Sequence, residues 1–222
     1  MVLARPKSLK ELALEHLRDS IVNGTLAMGE ALSERKISES LGVSKSPVRE
    51  ALAQLRDEGL VTIEPQKGAR VFTLSVEEVT QICDFRQAIE TSAFELAIAR
   101  NPESLAKEMV LVVDDMTKAK KAKDNKKYLA LDTEFHQLIF KWCGNVYLDA
   151  SYSRYVGKIA ALRTHLSTMP GHTDLSFQEH KELVTAVKEK DLGRIRELLA
   201  LHIDRTRKSY ALSISSAEQA AQ

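Results

Sequence analysis

The sequence predicts a mainly α-helical protein in two parts: an N-terminal winged helix-turn-helix, of three helices plus a two-stranded wing, and a C-terminal all-helical bundle. Three observations carry this. Leu41-Gly42-Val43-Ser44-Lys45-Ser46-Pro47-Val48-Arg49-Glu50-Ala51-Leu52 reads as a tight turn leading into a short helix, with Gly42 free to take the turn conformation. Pro65-Gln66-Lys67-Gly68 separates two short runs rich in strand formers. From Ser75 onward glycine thins out and helical periodicity runs to about Ser213. Composition agrees. Aromatics are only 5% of the 222 residues while Ala, Leu, Glu and Lys abound, which favours helix. The hydrophobic share of 44% is enough for packed cores.

Residues 7–74 make up the first predicted domain. Leu9–Val22 is an amphipathic helix with Leu12, Leu17, Ile21 and Val22 as its apolar positions, ended at Asn23-Gly24. Gly29 marks a turn, and Ser33 caps a short helix through Ser40. Ser46 is placed to cap the next helix, over 47–58, with Pro47 at its first position, where a missing N–H costs nothing. Val48, Ala51, Leu52 and Leu55 recur at helical spacing and form its buried face, leaving Lys45, Ser46 and Arg49 outward on the first turns. In a helix-turn-helix that end of the second helix meets base edges and phosphates in the major groove. Val61-Thr62-Ile63 and Ala69-Arg70-Val71-Phe72 are the wing strands, and Gly68 lets their connection approach a groove closely.

Charge and cysteine content narrow the reading. The formal net charge is only +1, so any affinity for nucleic acid must come from where the charges sit. No apolar run is long enough to cross a bilayer, and residues 1–10 lack the apolar core of a signal peptide. Cys83 and Cys143 make no disulfide framework. A cytoplasmic protein is expected, with no membrane partner.

The order Ile21…Gly24…Leu26…Gly29…Leu32-Ser33-Glu34…Leu41-Gly42-Val43-Ser44…Pro47-Val48-Arg49-Glu50-Ala51-Leu52…Leu55…Glu58-Gly59-Leu60-Val61…Gly68…Val71 closely resembles the winged-helix domain of GntR-family bacterial transcription regulators. Two positions depart from the family pattern: Met28 stands where a proline is usual, and Lys45 where arginine is common. Lysine keeps the charge but lacks the fork that reads guanine, so Lys45 suits a phosphate. Carried over by position, the resemblance implies that Arg35, Lys45, Ser46, Arg49 and Gly68 contact double-stranded operator DNA.

The second domain is predicted over 77–212, with a disordered small-residue tail over 213–222. Ser75-Val76-Glu77-Glu78 is a capping box opening a helix that carries Ile82, Phe85, Ile89 and Phe94. Further helices are expected over 104–121, 127–143, 147–167, 176–189 and 192–210, punctuated by Pro102, Gly144-Asn145, Met169-Pro170-Gly171 and Asp191. The lysine run from Lys118 to Lys127 reads as a solvated helix end and loop.

Asp132 and His136 are four apart and share one helical face; His180 and His202 lie on two later helices. One carboxylate and three imidazoles suit a borderline divalent ion such as zinc, nickel or manganese, with positions left open. A packed, hydrogen-bonded histidine is the competing reading at each position. His16 reads as a surface residue, His165 and His172 as flanking the loop at Pro170, and Cys143 as a buried thiol.

Phe85-Arg86…Glu90, Asp132-Thr133-Glu134-Phe135-His136…Leu138, Gly144-Asn145, Glu179-His180 and His202 resemble the FCD domain of the FadR subfamily. That resemblance implies a helical bundle that binds a small organic acid beside a metal held by the Asp and three His. It also implies that Arg86 and Arg163 face the cavity, where a guanidinium fork suits a carboxylate. The alternative for either arginine is an ion pair with Glu90 or another acid. The whole reads as a homodimeric regulator, not an enzyme, whose operator affinity answers to a small carboxylate effector. The rival is a metal-dependent hydrolase fused to a DNA-binding domain, for which no nucleophile–base pair is identifiable. A DNA-binding architectural protein without an effector would leave the Asp and His set without purpose.

Overall fold

A computed structural model describes residues 6–220, with side chains to Ser215. Residues 1–5, part of the stretch read as lacking a signal peptide's core, and residues 221–222 of the expected tail lie outside the described residues. The chain divides into two compact units between Thr73 and Leu74. No helix among the described residues is long and apolar enough to cross a membrane.

In the first unit α1 (Leu9–Val22) opens on a capping box: Ser8 Oγ accepts from the Glu11 N–H, and Glu11 accepts from the Ser8 N–H. Its buried stripe is Ala13, Leu14, Leu17 and Ile21. Leu12, expected inside, is exposed, because the 13-17-21 spacing puts the stripe one position further round. Then come β1 (Ala31–Leu32), α2 (Glu34–Leu41) and α3 (Lys45–Asp57). Gly42 closes α2 at φ 64°, a left-handed conformation that suits glycine. The helix α3 starts earlier than the sequence predicts. Ser44, not Ser46, stands at the cap position, and Pro47 is the third helical residue. Proline is tolerated there because no N–H of the first turn has an intrahelical acceptor. Val48, Ala51, Leu52 and Leu55 are all buried, as their spacing requires.

The strands β2 (Val61–Glu64) and β3 (Gly68–Val71) form the expected antiparallel hairpin, with Thr62 opposite Arg70 and Ile63 opposite Ala69. The sheet has three strands, not two, in the order β1-β3-β2. The two-residue β1 was not foreseen because so short a run shows no alternation. It is held by β3 alone: Gly29 N–H donates to Val71 O at 3.1 Å and Val71 N–H to Glu30 O at 2.9 Å.

The second unit comprises α4 (Val76–Arg100), α5 (Pro102–Lys121), α6 (Asn125–Cys143), α7 (Val146–Leu166), α8 (His172–Glu189) and α9 (Leu192–Ala220). The Ser75–Glu78 capping box is made in both directions. On α4, however, the buried stripe is Val79, Cys83, Arg86, Glu90, Ala93, Phe94 and Ala97. Ile82, Phe85 and Ile89 are only half-buried. Two opposite charges four residues apart thus occupy core positions that the apolar pattern assigned to its own residues. The C-terminal segment also differs from expectation: α9 continues to Ala220 where a disordered tail was predicted from 213. Its run of Ser, Ala, Glu and Gln contains neither glycine nor proline to break the helix.

The α1–α3 core rests on few large side chains, with Leu55 fully buried at its centre. Leu55→Ala is expected to destabilise the first unit by about 2–5 kcal/mol, read as a shift of that unit's urea midpoint without loss of secondary structure in the second.

Candidate functional site

The helix-turn-helix surface carries the five expected DNA-contact residues on its exterior. Lys45, Ser46 and Arg49 are exposed on the first turns of α3, Arg35 on α2, and Gly68 at the wing, where its φ is 84°. Ser44 makes no side-chain capping bond, so the start of α3 keeps N–H donors and the positive end of its dipole for an anion. Arg49 Nε donates to Glu34 Oε2 at 2.7 Å, with the arginine 65% exposed. Arg35 approaches Glu39 at 3.5 Å, also in solvent. Exposed pairs of this kind hold little free energy, so both guanidinium groups are available to phosphate or base edges.

The second unit gathers a polar cluster in its core, built by five helices. Arg86 and Glu90 come from α4, Asp132 and His136 from α6, Tyr152 and Arg163 from α7, Glu179 and His180 from α8, and His202 from α9. One ring nitrogen each of His136, His180 and His202 lies within 4.8 Å of the others, and all three residues are buried. His136 Nε2 and His180 Nε2 face each other at 3.4 Å. Glu90 Oε2 accepts from His136 Nδ1 at 2.8 Å, and Glu179 Oε2 from His202 Nδ1 at 2.7 Å. Each carboxylate thereby fixes its ring's tautomer and leaves the Nε2 lone pair free for a ligand.

Electrostatics keep these groups in ligating form. Burial, then Arg163, pushes His136 down to about 3, against the raising pull of Glu90. Burial holds His180 well below the usual imidazole value and lowers His202 as well. The rings are therefore neutral near pH 7, as coordination requires. Burial alone would raise Glu90, but Arg86 and then His136 outweigh it and hold the carboxyl well below the usual range. Burial would raise Asp132 too, and Arg163 followed by the three histidines prevents it. Glu179 is lowered to about 2: burial works to raise it, and His202 and Arg205 prevail.

Three of the four expected metal ligands converge. Asp132 stands at the edge of the set, with Oδ1 3.7 Å from His180 Nε2 and Oδ2 3.0 Å from Arg163 Nε. That last pair is misaligned for a hydrogen bond. Asp132 Oδ2 and all three Arg163 nitrogens are buried without a hydrogen-bond partner, as are His180 Nδ1 and the Tyr152 hydroxyl. So many orphaned polar atoms in one core are costly unless something completes them. Three neutral imidazoles with a carboxylate alongside fit a borderline divalent ion.

Arg86 does not face an open space. Its Nε donates to Glu90 Oε1 at 2.6 Å, with the two side chains 1% and 0% exposed; the ion-pair alternative describes it. His16 and His165 are exposed and His172 is half-buried against Arg205, 3.2 Å from its Nη1. Cys143 is a buried free thiol. The sequence reading quoted Glu179 within the FCD pattern without giving it a role, and did not single out Tyr152. Glu179 precedes His180 in sequence yet bonds a different histidine, His202, on another helix. Tyr152 lies eleven residues before Arg163, about three turns on one face, the only signal that could have found it.

Two sequence patterns cover most of the chain. Residues 9–71 match the gntR family of bacterial regulatory proteins, and residues 81–205 match the FCD domain. The chain belongs to the GntR family. Among its relatives, the gluconate operon transcriptional repressor of Bacillus subtilis (strain 168) is 28% identical, covering 85% of this chain and 79% of the repressor. The HTH-type transcriptional repressor RspR of Escherichia coli (strain K12) is 26% identical over 84% of this chain and 82% of its own length. The E. coli McbR/YncC structure shares the fold, with a TM-score of 0.77 at 20% identity, covering 98% of this chain and 100% of that one. This GntR-family chain is accordingly a transcriptional regulator.

The Arg86–Glu90 pair gives a stability prediction for this regulator. Glu90→Gln leaves a buried guanidinium uncompensated and is expected to cost about 3–5 kcal/mol. Replacing both residues, as Arg86→Met with Glu90→Leu, should cost less than either single change, measured as a double-mutant cycle in chemical denaturation.

Proposed function

We propose that the protein is a DNA-binding regulator whose operator affinity is set by a small carboxylate bound beside a divalent metal ion in the helical unit. The observation that carries this is Arg163: 7% exposed, with no hydrogen bond to any of its three nitrogens and only Nε close to a carboxylate, that of Asp132 at 3.0 Å, in the same core as three convergent imidazoles. A buried guanidinium in that condition asks for an anion with two oxygens, and its planar fork matches a carboxylate. His136, His180 and His202, with Asp132, would hold the metal. Bound there, it supplies a positive centre with open positions for the effector's oxygens. Glu90 and Glu179 orient the rings, and Arg86 serves the site through Glu90 instead of touching the effector. One relative is named for the gluconate operon, and gluconate is itself a small hydroxy acid.

The DNA reading assigns Arg49 to a base edge, Lys45 and Arg35 to phosphates, Ser46 to the start of the same groove, and Gly68 to the wing's approach. One short recognition helix carries limited specificity, so a homodimer on a pseudo-palindromic operator, in the cytoplasm, is the functional unit. The effector shifts operator affinity only by binding two arrangements of the dimer unequally. The relatives' names, regulators and repressors, support this over metal-dependent hydrolysis.

Arg49→Ala is expected to lower operator affinity by about 1–3 kcal/mol, and Lys45→Ala to weaken all sequences alike and flatten the salt dependence, in gel-shift titrations at two salt concentrations. Unchanged affinity in Arg49→Ala would remove the DNA assignment. Natively purified protein should carry close to one divalent ion per chain by elemental analysis, and His180→Ala should lose most of it. A thermal-shift screen of small acids should find a stabilising carboxylate whose effect falls in Arg163→Ala and on chelation. Stabilisation by neutral or cationic compounds alone would overturn the effector reading.

A further inference from the structure

The Tyr152 hydroxyl is a further orphan of this core, and nothing in the metal or DNA assignments uses it. The residue is 1% exposed, and its oxygen has no hydrogen-bond partner. A buried tyrosine ordinarily finds one, because an unpaired hydroxyl away from water is destabilising. Its ring is not loose. Phe140 stacks on it with centroids 4.2 Å apart and planes 15° from parallel, so the hydroxyl points where the backbone of α7 and this stack aim it. Its charged neighbours are Arg163, Glu90 and Arg86; the Arg163 guanidinium comes within side-chain reach of the hydroxyl from three helical turns along the same face. Arginine has no acceptor to offer, so the Tyr152 O–H proton finds none there.

A buried O–H without a hydrogen-bond partner beside a buried guanidinium describes the two arms of an anion site. Arg163 Nε is turned to Asp132 Oδ2 at 3.0 Å, which leaves Nη1 and Nη2 for a ligand. We infer that Tyr152 is an effector-binding residue: its O–H and the Arg163 Nη atoms donate to the same ligand carboxylate, while a second oxygen of that ligand faces the three histidines. This rests on the carboxylate reading of the site and narrows it. The ligand class is a small acid with two oxygen functions, a 2-hydroxy acid or a dicarboxylate; a monofunctional acid fills the clamp and leaves the histidine side unmet. The ring's fixed position means little side-chain freedom is lost on binding, which favours affinity at small ligand size.

The test separates a ligand contact from a structural tyrosine by the sign of the stability change. Full-length, metal-loaded wild-type protein is screened by thermal shift against acetate, lactate, succinate, malate, citrate and gluconate, and the best stabiliser is titrated by calorimetry. Tyr152→Phe removes only the orphan hydroxyl. It should keep the metal content, melt at the same temperature or higher without ligand, and bind the chosen acid about tenfold more weakly. Arg163→Gln should bind it at least as poorly, and acetate should stabilise wild type least of the acids. Should Tyr152→Phe bind as wild type does while Arg163→Gln is impaired, the tyrosine assignment fails and the carboxylate site stands. A ligand-free melting point lowered in Tyr152→Phe would make the residue structural and also overturn the inference. No stabilisation of wild type by any of the acids would overturn both readings together.

Discussion

The second unit puts two guanidinium groups and two carboxylates into its own core alongside three imidazoles, and the arrangement depends on the ion pair between Arg86 and Glu90. Both side chains are out of water, and their charges are held by each other at 2.6 Å. An isolated buried charge costs far more than the pair. Glu90 then spends its second oxygen on His136 Nδ1. A structural ion pair and the orientation of an imidazole are in this way one interaction. The chain of dependence runs from α4 through the carboxylate to α6 and ends at an imidazole whose Nε2 faces that of His180.

A parallel device operates on the other side of the set. Glu179 on α8 accepts from His202 on α9 and is itself gripped by Arg205, whose Nε and Nη2 reach its two oxygens at 2.9 and 2.5 Å. Two of the three histidines are therefore oriented by a carboxylate that is in turn fixed by an arginine. His180 has no such partner at Nδ1. Arg163 and Tyr152 break the pattern: they are as buried as their neighbours and carry unanswered donors. A protein core tolerates that only where a ligand or ordered water completes it, which is why these two positions carry the functional argument.

The DNA-facing surface follows opposite physics. Its charges stand in solvent, its ion pairs are exposed, and its affinity is a matter of which side chains α3 presents. The net charge of the whole chain says nothing about it. The burial of Val48, Ala51, Leu52 and Leu55 orients the helix so that Lys45, Ser46 and Arg49 face out, and local periodicity alone was enough to tell the two faces apart.

What was legible in the sequence was whatever local physics determines: the turn at Gly42, the cap at Ser75, the wing at Gly68, the helices of the bundle and the apolar face of α3. The i, i+4 spacing placed Asp132 with His136, and an ion pair with Glu90 was the alternative for Arg86, but local signals could not say that Arg86 would be buried and consumed by that partner. That depends on which face of α4 the other helices cover, and the apolar pattern of Ile82, Phe85 and Ile89 pointed one residue astray. The start of α3 at Lys45, the two-residue β1 and the helical continuation to Ala220 also lay beyond local signals. The cluster itself was a tertiary decision. His136, His180 and His202 meet only because α6, α8 and α9 pack together, and Tyr152 joins Arg163 only because α7 turns both inward. Sequence spacing measures distance along one helix, whereas convergence between helices is set by how their apolar faces pack.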